Sequence, residues 1–153
     1  VPRPFGEDAM AVLTPEFLSL VPGFFSADVQ ESSKTLESLI RLCFTEEPAE
    51  TDLYLMLGYN LAVPPFVRQA MLSRSFDNDD LLPKLQKPVL ITQGTDDKIV
   101  RVRAAEQIKA SVSHATLVLI EGVGHAPCLE APEKFNARLR DFALGSMAAG
   151  RAT

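Results

Sequence analysis

A carboxylate and an imidazole stand at matching places in this chain. Asp97 follows the apolar run Pro88-Val89-Leu90-Ile91-Thr92 across a turn at Gly94-Thr95-Asp96, and His125 follows the run Thr116-Leu117-Val118-Leu119-Ile120 across Glu121-Gly122-Val123-Gly124. If the two runs are neighbouring parallel strands, about 5 Å apart, both residues leave at the carboxyl end of the sheet, where open parallel sheets place their ligands. A carboxylate in that position holds the ring in one tautomer and stabilises the imidazolium formed when the other ring nitrogen takes a proton. Gly122 and Gly124 let the backbone turn sharply just ahead of His125. Asp96 is the alternative acid, because a one-residue shift of the turn exchanges it with Asp97. His114 precedes its run, belongs to the opposite end of the sheet, and is expected in a solvated loop. Cys128 sits too close to His125 along one segment to act as its nucleophile. No CxxC pair or Cys/His cluster has metal-ligand spacing, so no metal and no cofactor is expected.

The elements that must position this pair are legible as a change of period. Residues 1–80 read as helical. Thr14-Pro15-Glu16 is a cap followed by proline at the first helical position, leading into Phe17, Leu18 and Val21. Asp28 and Glu31 have capping-box spacing, and Leu36, Leu39, Ile40, Cys43 and Phe44 then recur at helical intervals. Pro48 opens a further helix with Leu53, Met56, Leu57 and Leu61 on one side; Pro64-Pro65 interrupts it, and Phe66, Val67, Ala70 and Met71 begin a fourth. Phe76-Asp77-Asn78-Asp79-Asp80 is a polar link. Residues 81–145 then alternate strand, helix (Val102, Ala105, Ile108, Val112), strand, helix (from Pro132, with Phe135, Leu139 and Phe142 inward), which is a βαβα unit with a parallel pair. Two strands make a marginal sheet, and these are too apolar to serve as edges facing water. The sheet is therefore expected to be incomplete within this chain and to continue on other polypeptide. Residues 146–153 read as a flexible tail of small residues.

Composition narrows the class. The 153 residues, 46% hydrophobic and 23% charged, suffice for one buried core. A net charge of -5 argues against a nucleic-acid partner. No apolar run reaches the length of a membrane span, and the Val1-Pro2-Arg3-Pro4 start shows no signal-peptide pattern. Cys43, on an apolar helix face, is expected to be a buried free thiol; two unpaired cysteines fit a reducing, cytoplasmic setting.

Taken in order, the two loop segments resemble the α/β-hydrolase family. Pro88-Val-Leu-Ile-Thr-Gln-Gly-Thr-Asp-Asp-Lys-Ile-Val is similar to the family's acid segment, an apolar strand followed by G-x-x-D and a small apolar pair. Gly122-Val-Gly-His-Ala-Pro-Cys-Leu-Glu-Ala-Pro-Glu-Lys-Phe resembles its histidine segment, G-H-x-P-x-x-E-x-P ahead of a helix. The resemblance is sharpest over 81–145, and it implies that residues 1–80 are the helical cap, Asp97 the acid of a catalytic triad and His125 its general base, with Glu130 structural. The family's nucleophile lies in a G-x-S-x-G elbow between a strand and a helix. No serine of this chain, from Ser19 to Ser146, has that setting.

Three functions remain in play. The first is carboxylic ester hydrolysis through a Ser-His-Asp triad whose serine lies upstream, on an N-terminal half of the same hydrolase, so that this chain alone is inactive. Its substrate would be a small hydrophobic ester, with the apolar stretch 53–61 available to line a pocket. The second is an epoxide or haloalkane hydrolase with an Asp nucleophile, for which Tyr54 and Tyr59 would have to share one pocket. The third is a non-enzymatic fragment or interaction module.

Overall fold

A computed structural model describes residues 11–73 and 81–150, with side chains as far as Gly145. The polar link at 76–80 lies outside the described residues.

The helical part begins at α1 (Pro15–Leu20), where Thr14 Oγ1 accepts the Phe17 amide at 3.2 Å and proline fills the first turn. A 3₁₀ turn, Val21–Phe25, leads to α2 (Val29–Leu42). Here the capping box is rearranged. Asp28 accepts the Glu31 amide at 2.9 Å, but Glu31 accepts from the Ser26 hydroxyl, and Ser26 Oγ in turn accepts the Asp28 amide. Leu36 and Ile40 are the buried stripe of α2, and Phe24 and Leu53 complete that core. Helices α3 (Glu50–Leu61) and α4 (Pro65–Leu72) follow. Arg68 binds this part together: its guanidinium donates to the carbonyls of Phe24 and Val63 and to Ser32 Oγ, at 2.8–3.0 Å. Such a planar fork fixes three chain segments through four directed bonds, one more than a lysine has donors. Leu53 alone is buried on α3, while Tyr54, Leu55, Tyr59 and Leu61 are exposed, so an apolar face stands open.

After a 3₁₀ turn at Leu82–Lys84 comes β1 (Leu90–Gly94), then α5 (Arg103–Ser111), β2 (Thr116–Ile120), the one-turn helix α6 (Pro127–Glu130) and α7 (Pro132–Gly150). The strands pair in parallel, from Leu90 opposite Thr116 to Gly94 opposite Ile120. They are the only sheet among the described residues. Helix α5 packs on both strands and α7 on β1. Ala104, Ala105, Val112, Ile120 and Val123 form the buried core here, yet Leu119 is 43% exposed in mid-strand. An apolar strand residue so open to water marks a partial sheet.

Two boundaries differ from the sequence reading. Strand β1 runs on through Gly94, because its last residues still pair with β2. Helix α7 continues through Gly150, past the start of the tail expected at 146; Met147, Ala148 and Ala149 favour helix. Among the described residues, no helix is long and apolar enough to cross a membrane.

The two parts are joined by a strap. Leu13 bridges Val100 antiparallel, the Thr14 amide donates to the Ile99 carbonyl at 3.0 Å and the Arg101 amide to Val12 at 2.7 Å. The Thr14 hydroxyl also donates to the Lys98 carbonyl. Val12 and Ile99 are buried beneath it.

Candidate active site

The ends of β1 and β2 are stitched so closely that the following loops must travel together. The Thr95 amide donates to the Ile120 carbonyl at 3.1 Å, the Asp96 amide to Val123 at 3.0 Å, and the Gly122 amide to Thr95 Oγ1 at 3.0 Å. Gly94 is obligatory: a Cβ there would lie 2.0 Å from the Val123 oxygen and 2.2 Å from that of Gly124. Gly122, at φ +71°, takes a conformation that side chains resist.

This stitching delivers Asp97 to His125. Asp97 Oδ2 lies 2.9 Å from His125 Nδ1; its side chain is 5% exposed, that of His125 41%. The second oxygen, Oδ1, accepts the amides of Ile99 at 2.8 Å and Val100 at 2.9 Å. Burial pushes the Asp97 carboxyl up, but the His125 hydrogen bond, the two amides and the imidazole's charge outweigh it and hold the group below its ordinary value. The imidazole thus presents Nδ1 to a buried carboxylate, leaving Nε2 on the opposite edge of a half-open ring. Thr92, Gly94, Val100 and Pro127 border an open notch of about 170 Å³ beside the pair.

The alternatives lie elsewhere. Asp96 is exposed and its Oδ1 accepts from its neighbour's hydroxyl, Thr95 Oγ1, at 2.9 Å. His114 precedes β2, with Nε2 3.0 Å from the Lys87 carbonyl. Cys43 is half-buried rather than fully buried; burial first, then the charges of Asp97 and Glu130, push its thiol up to about 11. It is therefore a thiol at neutral pH and not a thiolate nucleophile. Cys128 is free and exposed on α6. No group of three or more His, Cys, Asp or Glu among the described residues is arranged to hold a metal ion.

Three further participants support the pair, of which only Glu130 stands at a position of the histidine segment noted above. Gln93 is buried at the end of β1 and its Nε2 donates to the Val100 carbonyl at 2.6 Å and to Asp97 Oδ2 at 3.3 Å. A lone amide in an apolar strand is the one signal that pointed to it, because a buried amide requires partners. Glu130 spans the two parts of the molecule, accepting from Thr45 N and Oγ1, both at 2.7 Å, and from the Gly124 amide at 2.9 Å. The Cys43 carbonyl accepts the His125 amide at 2.9 Å.

A second cavity, about 480 Å³, opens between segment 44–48, α3 and α6, with Phe44, Leu55, Met56, Tyr59 and Leu129 as its apolar lining. Tyr59 faces it. Tyr54 instead bonds Glu50 one turn back, which raises its pKa.

Known proteins resemble this chain in sequence and in fold. The family model for the alpha/beta hydrolase fold matches residues 17–132. The chain belongs to the α/β-hydrolase fold family. Among solved structures, this hydrolase-fold chain superposes on the esterase RhEst1 from Rhodococcus sp. ECU1013 with a TM-score of 0.82 and 28% identity, over 90% of this chain and 50% of that one. Protein ABHD8 of Mus musculus is 32% identical over 110 residues, covering 70% of this chain and 25% of that protein. The pimeloyl-[acyl-carrier protein] methyl ester esterase of Neisseria meningitidis serogroup B is 37% identical over 71 residues, 46% of this chain and 28% of that enzyme. The hydrolase-fold chain thus spans half of the matched structure and about a quarter of these two relatives.

Proposed function

We propose that Asp97 and His125 are the acid and general base of a Ser-His-Asp triad that hydrolyses carboxylic esters, with the serine on polypeptide outside residues 1–153. The observation that carries this reading is the 2.9 Å contact between a buried, doubly amide-bonded Asp97 and the half-exposed ring of His125. In the forward step the serine oxygen bonds to the ester carbonyl carbon while Nε2 of His125 takes its proton. The imidazolium then returns that proton to the departing alcohol, and water repeats the sequence on the acyl-enzyme. Asp97 holds Nδ1–H throughout and stays ionised. On this reading residues 1–80 are the cap, 81–145 the last strands and helices of the core, and an N-terminal half of the same hydrolase supplies the other strands and the elbow. The part-open apolar strand β2 supports that partner. The lining of the larger cavity suits a small hydrophobic ester. Two free cysteines fit a cytoplasmic setting.

The resemblance to esterases supports the same chemistry. An epoxide-opening mechanism with two tyrosines is disfavoured, since Tyr59 lines the cavity and Tyr54 does not. The deciding experiment is ester turnover by the complete hydrolase carrying His125→Ala. Near-complete loss is expected, and wild-type turnover would remove the triad.

A further inference from the structure

We propose that Glu130 is a positioning residue for His125, fixing the backbone from which the imidazole hangs and tying it to segment 43–45 of the helical part. This rests on the triad reading above. Glu130 Oε1 accepts the Gly124 amide at 2.9 Å, while Oε2 accepts both the amide and the hydroxyl of Thr45 at 2.7 Å. Bonds to a carboxylate are shorter and stronger than neutral ones, and a carboxylate with two acceptor oxygens can serve two chain segments at once. The next amide, that of His125 itself, donates to the Cys43 carbonyl at 2.9 Å. Two successive amides of the histidine loop are therefore anchored on one short stretch of the other part.

The fit leaves no slack. A Cβ on Gly124 would stand 2.8 Å from Glu130 Oε1 and 2.9 Å from the Cys43 oxygen. Asp97 restrains the ring through one nitrogen, and the ring lies 41% exposed on a loop with two nearby glycines. Without Glu130 the loop keeps the Asp97 contact and the His125 amide bond to Cys43 but loses the Gly124 anchor that fixes where Nε2 points. Glu130 also borders the larger cavity, so the wall beside the substrate and the mount of the base share one carboxylate.

The test uses the complete hydrolase with a p-nitrophenyl ester. Glu130→Gln keeps the shape but turns one acceptor oxygen into an amide donor facing another donor. A misplacement near 1 Å predicts a fall in kcat of about 10- to 100-fold with KM changed less than about threefold. The downfield proton resonance of His125 Nδ1–H should broaden in the same variant. A folded Glu130→Gln protein with wild-type kcat overturns the proposal, even if its melting temperature drops. If that variant does not fold, Thr45→Val decides: reduced kcat at unchanged KM supports the anchor, and wild-type kcat overturns it. His125→Ala is assayed alongside. Turnover retained there defeats the triad reading, whereas an inactive His125→Ala beside a fully active Glu130→Gln defeats the positioning role alone.

Discussion

The loop carrying Asp97 and the loop carrying His125 leave adjacent strands side by side and are stitched to each other, yet their remaining bonds differ. Beyond the bonds of its Thr95 and Asp96 amides to Ile120 and Val123, the acid loop is organised by its own residues. Asp97 closes its own turn on the amides of Ile99 and Val100, and the 12–14 strap bonds to the residues that follow it. The histidine loop closes on Glu130 of its own segment but does not end there. Its Gly122 amide goes to Thr95 Oγ1 and its Gly124 amide to Glu130, but Glu130 is itself held by Thr45 and the His125 amide goes to the Cys43 carbonyl. On the triad reading, the acid is thus placed mainly within its own loop and strand end, while the base depends in addition on the docking of one part of the molecule on the other.

At the level of the reaction the difference should vanish, and this is the largest effect expected. In the complete hydrolase, Asp97→Asn should lower kcat about 10⁴-fold, and His125→Ala should abolish nearly all turnover. Under the proposed triad the two residues act as a unit, so the double variant should be hardly worse than His125→Ala. Additive losses measured on a p-nitrophenyl ester would show that the two residues work separately, and the comparison would then lose its common purpose.

Stability should respond next most strongly where the loops touch. Gly94→Ala puts a methyl group 2.0 Å and 2.2 Å from two carbonyl oxygens of the histidine loop, with backbone rather than flexible side chain as the obstacle. A loss of about 3 kcal/mol or more is expected, in the range of severe strain, read as a lowered denaturation midpoint. A near-neutral Gly94→Ala would mean the loops separate easily.

The two glycines before His125 sharpen the contrast. Gly122 has φ +71° and open space around its missing side chain, so Gly122→Ala should cost about 1 kcal/mol through backbone strain alone. Gly124→Ala meets Glu130 and the Cys43 carbonyl instead. Comparable stability losses are expected, but only Gly124→Ala should reduce kcat. Equal kcat values for the two would argue that the histidine loop is held as locally as the acid loop.

The same contrast explains what the sequence disclosed. The strands, the turn that carries Asp97, the glycine-flanked loop that carries His125 and the caps at Thr14 and Asp28 are patterns within a few residues, where period, turn chemistry and capping act. Thr45 and Glu130 meet across 85 positions, and Thr14 reaches Lys98 across 84. No periodicity encodes such pairings, because they depend on how two packed parts are set against each other. The α7 boundary was missed for a different reason. Small residues after Leu144 suggested a tail, but alanine and methionine are also strong helix formers.

The smallest effect expected is an acid dependence that belongs to the acid loop alone. Burial opposes ionisation of Asp97, but the His125 bond, the Val100 and Ile99 amides and the imidazole's charge together prevail, so its folded pKa lies below the ordinary value. Such a group binds its proton more readily in the unfolded chain. Its stabilising contribution is therefore complete above the unfolded carboxylate value, about 3.9, and is lost as pH falls through the folded value. Between those two points wild type should lose stability on acidification more steeply than Asp97→Asn, which has no carboxylate to protonate. Above them the two proteins should show parallel curves. Urea midpoints measured from pH 6 downward give the comparison directly. Parallel curves throughout would mean that burial and hydrogen bonding cancel at Asp97. The acid loop would then hold its shape whether or not the carboxylate is charged.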